Sequence, residues 1–342
     1  MKRLKIIILS AICIVSVTAC SDFLKEKSQD EVIPKTVKDY GEMLLPYLQS
    51  SIDKMVYSMD DDVTLNARQF WGTEENYDAL RIYGRYTWQP DMWEEDNSDM
   101  TASIYTNAYT IIRSVNAILE GLDEATGNEE EREIVRARAL GIRAYVYFIL
   151  VNLYGEPYNY NKEALGVPLK LSSAYVAEGI ARNTVEEVYA QIVDDLEKAS
   201  NIFMKYPKRR GDYLINGTAT DIILSRVYLY TEKWSKAIEA ADRAIESAEG
   251  LWDYTVLDDE KHYMTSYDNP EVEWLFMELK IEQILTPSEE LLSQFDDADR
   301  RPDFFVKVPF PTGIGKLDVE KGYGPATMIR SAEAYLNRAE AK

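Results

Sequence analysis

Aromatic and polar side chains are interleaved in residues 60–83, which read DDDVTLNARQFWGTEENYDALRIY. Indole and phenol rings offer flat apolar faces on which sugar rings stack, while carboxylate and guanidinium groups form paired hydrogen bonds with sugar hydroxyls. We therefore predict a ligand-binding site here, with Trp71 beside Gly72 as its strongest stacking residue. The predicted site residues are Asp60, Arg68, Trp71, Tyr77 and Tyr83. Aromatic residues are also ordinary core material, so burial of these rings is the alternative.

Motifs for catalysis or metal binding do not emerge from the sequence. His262 is the only histidine, and the zinc-binding pattern HExxH is absent. The acidic runs at 60–62 and 296–297 lack the full oxygen-ligand spacing of an EF-hand loop, which favours solvated turns over calcium sites. No cofactor and no metal are predicted.

The charge balance is strongly acidic. The chain has 38 Lys and Arg against 59 Asp and Glu, for a net charge of −21. A surface of this sign repels an extended phosphate backbone, so nucleic acid is excluded as a partner. With 342 residues and 46% hydrophobic residues, the chain is long and apolar enough to bury a large core.

The N-terminus resembles a lipoprotein signal peptide. Basic residues precede an apolar run at 6–19, and Cys20 follows it directly, so that residues 17–20 read VTAC. The run falls short of the roughly 20 residues that span a bilayer. We predict a signal peptide at 1–19, acylation of Cys20, and a polar tether at 20–35, with anchoring supplied by the acyl chains. A plain signal peptide with an incidental cysteine is the alternative.

Apolar residues then recur mainly at helical spacing, which predicts an all-α fold. The predicted helices cover 36–50, 101–122, 130–153, 184–204, 217–231, 234–248 and 327–341. Within RALGIRAYVYFILVNLYGEPY, residues 144–151 are apolar on every side, which predicts a buried core helix rather than a ligand platform or a membrane segment. Nearby Arg136, Arg138 and Arg143 predict that this helix has an end near solvent.

Residues 218–248, TATDIILSRVYLYTEKWSKAIEAADRAIES, have the pattern of one tetratricopeptide repeat. Leu224 and Tyr228 lie on its first helix, and alanines give its second helix a face of small residues. One such unit cannot bury its own apolar face, so the preceding helices are the expected stacking partners.

Two long stretches, 51–97 and 250–325, are not needed by a simple helical solenoid. Long insertions usually carry function, and both of these are rich in Trp and Tyr. We therefore predict one repeat domain at 36–342 with functional insertions. The insertions favour capture of a sugar ligand, whereas a protein-interaction scaffold would present an open concave groove of helices.

Three segments together resemble the SusD/RagB family: ACSDFL at the predicted lipidation site, RAYVYFILVNLYGEPY followed by GVPL, and the terminal MIRSAEAYLNRAEAK. Supporting matches are IYTNAYTIIRSVNAILEGL, NTVEEVYAQIVDDLEKA, the repeat at 218–248 and QFDDADRRPDF. The resemblance extends over nearly the whole chain after the predicted signal peptide.

This resemblance implies a cell-surface lipoprotein of the Bacteroidota outer membrane on a tetratricopeptide-like scaffold. Such proteins are lids on a SusC-type TonB-dependent transporter and capture oligosaccharides for uptake. No catalysis is implied. The alternatives are capture of another nutrient such as peptides, and a tetratricopeptide-type scaffold for protein interactions.

The resemblance also carries expectations about packing. In the family, a substantial region follows the AEAYLNRAEAK-like helix, so the sequence is expected to be truncated at its C-terminus, and an apolar stripe through Ile329 and Leu336 is expected to lack a partner. Trp88 and Trp93, in YTWQPDMW, are expected to pack against the first repeat helix.

Overall fold

The computed structural model describes residues 34–45, 59–65, 83–90, 92, 98–212, 214–253, 269–278, 285–299, 306–307, 314–315 and 326–342. The sequence-based predictions for Cys20, Arg68, Trp71, Tyr77, Trp93 and His262 fall outside these residues.

The described helices are α1 Val37–Glu42, α2 Ser98–Gly121, α3 Glu129–Tyr154, α4 Tyr158–Asn161, α5 Val185–Lys205, α6 Gly217–Tyr230, α7 Trp234–Ser247, α8 Glu289–Ser293 and α9 Ser331–Glu340. The longer helices pack as successive neighbours: α2 on α3, α3 on α5, α5 on α6, and α6 on α7. Each amphipathic helix thus buries its apolar face against the next. The prediction of a mainly helical, tetratricopeptide-like scaffold is confirmed.

Helix α3 is the centre of the core, as predicted. Asn128 caps its start by accepting from the amides of Glu130 and Glu131. The helix ends at Tyr154, and the amide of the next residue, Gly155, still donates to Val151 O at 2.9 Å. From Ala137 to Val151, every side chain of the helix except that of Ile149 is buried. Among the described helices, none is long and apolar enough to cross a membrane.

Helix α3 begins near solvent, as predicted, but two of the three arginines on which that prediction rested are buried. Arg143 is only 7% exposed, and its guanidinium donates to both Asp195 oxygens at 2.7 and 2.8 Å. Arg138 is also buried and pairs with Asp212 at 2.8 Å. Because α3 lies between α2 and α5, these arginines are enclosed, and each buried charge needs a carboxylate partner.

The repeat hairpin has the packing expected of a tetratricopeptide unit. Four alanines of α7 are fully buried and let it approach α6 closely: Ala237, Ala240, Ala241 and Ala244. The last helix, α9, packs on both members of this hairpin. Arg226 of α6 forms two 2.6 Å hydrogen bonds with Glu333 of α9, and Asn337 donates to Ser225 Oγ at 2.8 Å.

Two predicted helix boundaries are wrong. Helix α1 ends at Glu42 rather than at 50; Pro46 follows shortly after, and the residue before a proline is disfavoured in the helical region. At the other end, residues 326–330 are a strand, because they pair with residues 272–278, and α9 begins only at Ser331. Ile329 is buried in this ladder, whereas Leu336 is 70% exposed, so the predicted stripe is divided between two elements.

Short strands connect the irregular segments through backbone hydrogen bonds. The strands are β1 Val63–Leu65, β2 Val272–Glu278, β3 Leu285–Pro287, β4 Val306–Lys307, β5 Ile314–Gly315 and β6 Ala326–Arg330. They form antiparallel pairs β1–β3, β2–β6 and β4–β5. Trp274 on β2 is buried and packs edge-on against Tyr145 of α3, with ring centroids 5.2 Å apart. The second insertion is thereby joined to the helical core.

Candidate functional site

The two predicted insertions pair with each other. Strand β1 belongs to the insertion at 51–97 and β3 to the insertion at 250–325, and Thr64 lies opposite Thr286 in their antiparallel ladder. The amide of Ser288 also donates to Asp62 O at 2.8 Å. Backbone hydrogen bonds therefore hold segments more than 200 positions apart in one place, so both insertions can contribute to a single surface.

The acidic turn before β1 is exposed and locally hydrogen-bonded. Asp60 Oδ1 accepts from the amide of Asp62 at 3.0 Å, which is an Asx-type turn. Its other carboxylate oxygen is available as an acceptor for a ligand hydroxyl. Among the residues that the structure describes, no group of three or more His, Cys, Asp or Glu is placed to hold a metal ion.

Residues 83–90, which we name the aromatic turn, follow the predicted site in the sequence. Tyr83 begins a single helical turn, and Thr87 closes it by donating from its amide to Tyr83 O at 2.9 Å and from its hydroxyl at 2.7 Å. The amide of Gln89 donates to Gly84 O at 2.8 Å. Arg85, in the middle of the turn, is almost fully buried.

Two large rings of the aromatic turn are exposed. Tyr83 is 54% exposed and Trp88 is 61% exposed. Trp88 has a φ of +53°, a left-handed conformation that costs an L-residue roughly 1–2 kcal/mol. Strain of this kind persists where the surrounding hydrogen bonds fix it, and it is concentrated at ligand-binding positions. The expectation that Trp88 packs against the first repeat helix is wrong.

Sequence reasoning passed over Trp88 as a site residue although a signal was present. Pro90 disfavours helical conformation in the residue before it, which is Gln89, so a helical segment is expected to end close to Trp88. The tryptophan therefore falls in a turn rather than on a packed helix face. Together with Tyr83, it gives the turn two exposed rings.

Of the predicted site residues, the structure describes Asp60 and Tyr83. Both are exposed, as a ligand contact requires, and they make no hydrogen bond or ring contact with each other in the described part of the chain. The remaining three, Arg68, Trp71 and Tyr77, lie outside the described residues. Their participation in the site stays a prediction.

The surface between α5, α6 and α7 gives little support to a scaffold that binds its partner there. It holds a cavity of about 240 Å³, and most of its charged groups are already paired with one another. Glu197 accepts from Tyr228 and pairs with Lys236 at 3.1 Å, while Arg243 pairs with Asp221 at 2.7 Å. A partner would have to displace these bonds to use the same groups.

A helical-repeat scaffold with exposed aromatic rings on paired insertions is an arrangement suited to ligand binding. The particular family follows from the sequence: the model of the SusD-like family, described as starch-binding and associating with the outer membrane, matches residues 22–229. The chain belongs to this SusD-like family. Its members are binding proteins associated with the outer membrane, and membership supports carbohydrate binding.

A curated relative agrees with this assignment. The chain is 27% identical over 154 residues to the SusD-like protein P2 of Formosa agariphila. The match covers 44% of this chain and 28% of the relative's length.

Solved structures share the fold. A SusD-like carbohydrate-binding protein from Bacteroides vulgatus aligns with a TM-score of 0.70 and 21% identity, over 90% of this chain and 71% of that one. Surface glycan-binding protein A from Bacteroides uniformis aligns with a TM-score of 0.67 and 16% identity, over 89% of this chain and 75% of that one.

Proposed function

We propose that this protein captures oligosaccharides at the cell surface and passes them to a SusC-type TonB-dependent transporter of the outer membrane. The observation that carries the proposal is the family match over residues 22–229, because the family is defined by starch binding at that membrane. The named relatives include carbohydrate-binding and glycan-binding proteins of the same fold.

The aromatic turn and the neighbouring insertion segments are proposed as the oligosaccharide site. Tyr83 and Trp88 supply stacking faces, and the exposed Asp60 supplies a hydrogen-bond acceptor. The sequence adds Arg68, Trp71 and Tyr77 to this site as predicted contacts. The proposed role is binding without chemical change, as in a family of binding proteins.

Retardation of the purified protein in affinity gels tests the capture function. Gels containing starch and a panel of plant, algal and host polysaccharides should include at least one that slows the protein relative to an empty gel. Tyr83→Ala and Trp88→Ala should each reduce this retardation. If no polysaccharide slows the protein, or if only a peptide nutrient binds, oligosaccharide capture is wrong.

Membrane anchoring is proposed to depend on Cys20, as the VTAC sequence predicts. Cells labelled with a clickable fatty acid should incorporate label into the wild-type protein and not into Cys20→Ala. The variant should leave the membrane fraction. Equal labelling of both proteins would contradict the lipidation site.

The transporter partnership is a separate part of the proposal, inferred from family membership. Chemical cross-linking of intact cells, followed by purification of this protein, should recover a TonB-dependent transporter as a covalent partner. Recovery of cross-linked soluble proteins in place of a transporter would favour the protein-interaction scaffold.

A further inference from the structure

A second surface is formed by α2 and the loop that follows α4. Two adjoining cavities of about 760 and 330 Å³ lie along it, within the size range of small-ligand sites. Both are lined by Tyr105, Tyr109, Arg113 and Lys170, and Tyr175 lines the second. We name this surface the tyrosine groove and define it by those five residues.

The loop wall of the groove is held rigidly. Lys170 donates its amide to Tyr147 Oη at 2.8 Å, and the same hydroxyl donates to Lys170 O at 2.9 Å. Asn116 Nδ2 donates to Lys170 O at 2.9 Å and Ser172 O at 3.2 Å, and its own oxygen accepts from Arg143. Because these anchors are buried, the groove is preformed and a ligand would not have to order it.

The rings of the groove lie where a sugar can reach them. Tyr105 is 36% exposed, with its ring centroid 4.7 Å from that of Tyr109, and Tyr175 on the loop is 87% exposed. The Tyr109 hydroxyl donates to Pro168 O at 2.8 Å. Burial raises the pKa of Tyr109 above its ordinary value, and the nearby Tyr105 hydroxyl adds to the rise, so the phenol stays neutral at physiological pH.

Two hydroxyl groups on α2 already donate their protons within the helix, so each can act only as an acceptor towards a ligand. Thr110 Oγ1 donates to Thr106 O at 2.8 Å, and Ser114 Oγ donates to Thr110 O at 3.0 Å. Since their protons are used inside the helix, their oxygens offer lone pairs to sugar hydroxyls. Charged donors in the groove are Arg113 and Lys170.

Arg113 and Lys170 differ from most arginines of this acidic chain in their ion pairing. In the described part of the protein, most arginines are ion-paired, for example Arg143 with Asp195 and Arg243 with Asp221. Neither Arg113 nor Lys170 makes an ion pair with a described carboxylate; Lys170 Nζ donates instead to the carbonyl of Ala174. Hydrogen bonds from Ser173 lower the pKa of the Glu120 carboxyl, and Lys170 lies close enough to lower it further, so Arg113 is the main cation left for a ligand. On a chain with a net charge of −21, such a cation beside stacking rings favours an anionic ligand.

We propose that the tyrosine groove binds oligosaccharides that carry carboxylate or sulfate groups. The rings contact the sugar faces, the α2 hydroxyls accept from sugar hydroxyls, and Arg113 with Lys170 binds the anionic substituent. This inference rests on the proposed capture function and narrows its substrate class. It adds a second contact surface to the aromatic turn.

The test compares acidic polysaccharides with their neutral counterparts in affinity gels of the purified protein. One pair is polygalacturonate and carboxyl-reduced polygalacturonate, and the other is a sulfated galactan and its desulfated form. At least one acidic member should retard the protein more strongly than its partner, and raising the salt to about 1 M should weaken this preference because exposed charges are screened. The two pairs distinguish carboxylate from sulfate recognition.

Arg113→Gln should weaken binding of the preferred acidic polysaccharide about tenfold, as expected for loss of a charge-assisted contact. Arg113→Lys should retain part of it. The matched control is Arg209→Gln, which removes an exposed arginine outside the groove and should bind like the wild type. Melting curves of all variants should coincide, because both arginines are exposed.

Contrary outcomes separate this inference from the capture function. Equal retardation by acidic and neutral polymers, with Arg113→Gln behaving as the wild type, would overturn the anionic class and leave glycan capture intact. A protein that no polysaccharide retards would overturn both. If Arg113→Gln and Tyr175→Ala lose a cross-linked protein partner but keep full glycan binding, the groove is a protein-docking surface and the proposal is wrong.

Discussion

The helical scaffold and the aromatic turn place the same kinds of side chain under different constraints. Tyr147 on α3 is buried, and its hydroxyl is hydrogen-bonded to both backbone groups of Lys170. Tyr189 on α5 is buried too and donates to Asn152 Oδ1 at 3.2 Å. Tyr83 and Trp88, in the turn, are mostly exposed. A structural ring is therefore marked by helical packing plus a polar partner, and a candidate binding ring by an exposed, hydrogen-bonded turn.

Trp274 shows that location in an insertion is not itself the criterion. This tryptophan belongs to the second predicted insertion, yet it is buried against Tyr145 because β2 pairs with β6 next to the core. The local backbone decides whether a ring packs inward or remains available to a ligand. The contrast between scaffold and turn can thus be tested one residue at a time.

The largest expected effect comes from breaking the scaffold at Asp195. Asp195→Asn leaves the buried Arg143 without its charged partner, which should lower the free energy of unfolding by about 3–5 kcal/mol. Denaturant unfolding measures this loss. Asp194→Asn, at the adjacent exposed position paired with Lys198, is the control and should cost less than about 1 kcal/mol. Similar losses for the two variants would show that the buried Arg143–Asp195 pair contributes no more to the free energy of unfolding than an exposed pair does.

We expect a pH-dependent contribution to the free energy of unfolding from Glu273, which is buried beside Asn216, the N-cap of α6. Burial raises its pKa to about 7, against the hydrogen bond from Asn216 Nδ2 at 2.9 Å. The folded state therefore holds this proton more tightly than the unfolded state. The stabilisation that this proton gives is fully present below pH 4.5 and is lost as the pH rises towards 7. Above pH 7 this group causes no further change in stability.

Glu273→Gln removes this titration and keeps an acceptor for Asn216. Relative to the wild type, the variant should be more stable at pH 8 by on the order of 3 kcal/mol and nearly equal at pH 4.5. Chemical unfolding at the two pH values measures the difference. The exposed carboxylate of Glu163 offers the control, since Glu163→Gln should change neither value. A gain of the same size at both pH values would contradict the linkage to Glu273.

A smaller loss is expected from Tyr147→Phe, which removes one oxygen and leaves the ring in place. The amide of Lys170 then loses its partner inside the protein, whereas Lys170 O retains Asn116. The free energy of unfolding should fall by about 1–3 kcal/mol, and hydrogen exchange of the Lys170 amide should accelerate. Tyr160→Phe, at an exposed tyrosine of α4, should do neither. An unchanged exchange rate in Tyr147→Phe would show that the loop has another anchor.

Periodicity predicted most of the scaffold because its helices bury continuous apolar faces. The core role of α3 and the repeat hairpin of α6 and α7 followed from spacing alone. The short strand β6 was missed, since five residues that directly precede a helix carry too little pattern to separate from it. The buried pairs of Arg138 and Arg143 were also missed, because their partners lie 74 and 52 positions away.

The candidate site was less predictable for a related reason. Stacking residues in a turn have no period, so their type is readable from the sequence but their exposure is not. Tyr83 was chosen as an extension of the platform around Trp71 and is exposed, whereas the exposure of Trp88 depends on a left-handed backbone that the sequence does not indicate. The strand pair that joins the two insertions links residues too far apart for any local signal.

The smallest expected change in stability, with a clear change in function, is at Trp88. Its ring is mostly exposed, so Trp88→Ala should alter the free energy of unfolding by less than about 0.5 kcal/mol. An aromatic stacking contact contributes about 0.5–1.5 kcal/mol beyond its buried area, so the affinity for a retained oligosaccharide should fall roughly tenfold. Trp88→Gly sharpens the distinction, because glycine adopts a φ of +53° without strain and should relieve part of the cost at this position. Titration calorimetry with the retained oligosaccharide, beside a melting curve, measures both quantities.

The scaffold ring Tyr189 is the opposite control: Tyr189→Ala should lower stability by several kcal/mol through loss of core packing. If Trp88→Ala behaved like Tyr189→Ala, or if both Trp88 variants kept full affinity, exposure in a strained turn would not be the mark of a binding ring in this protein.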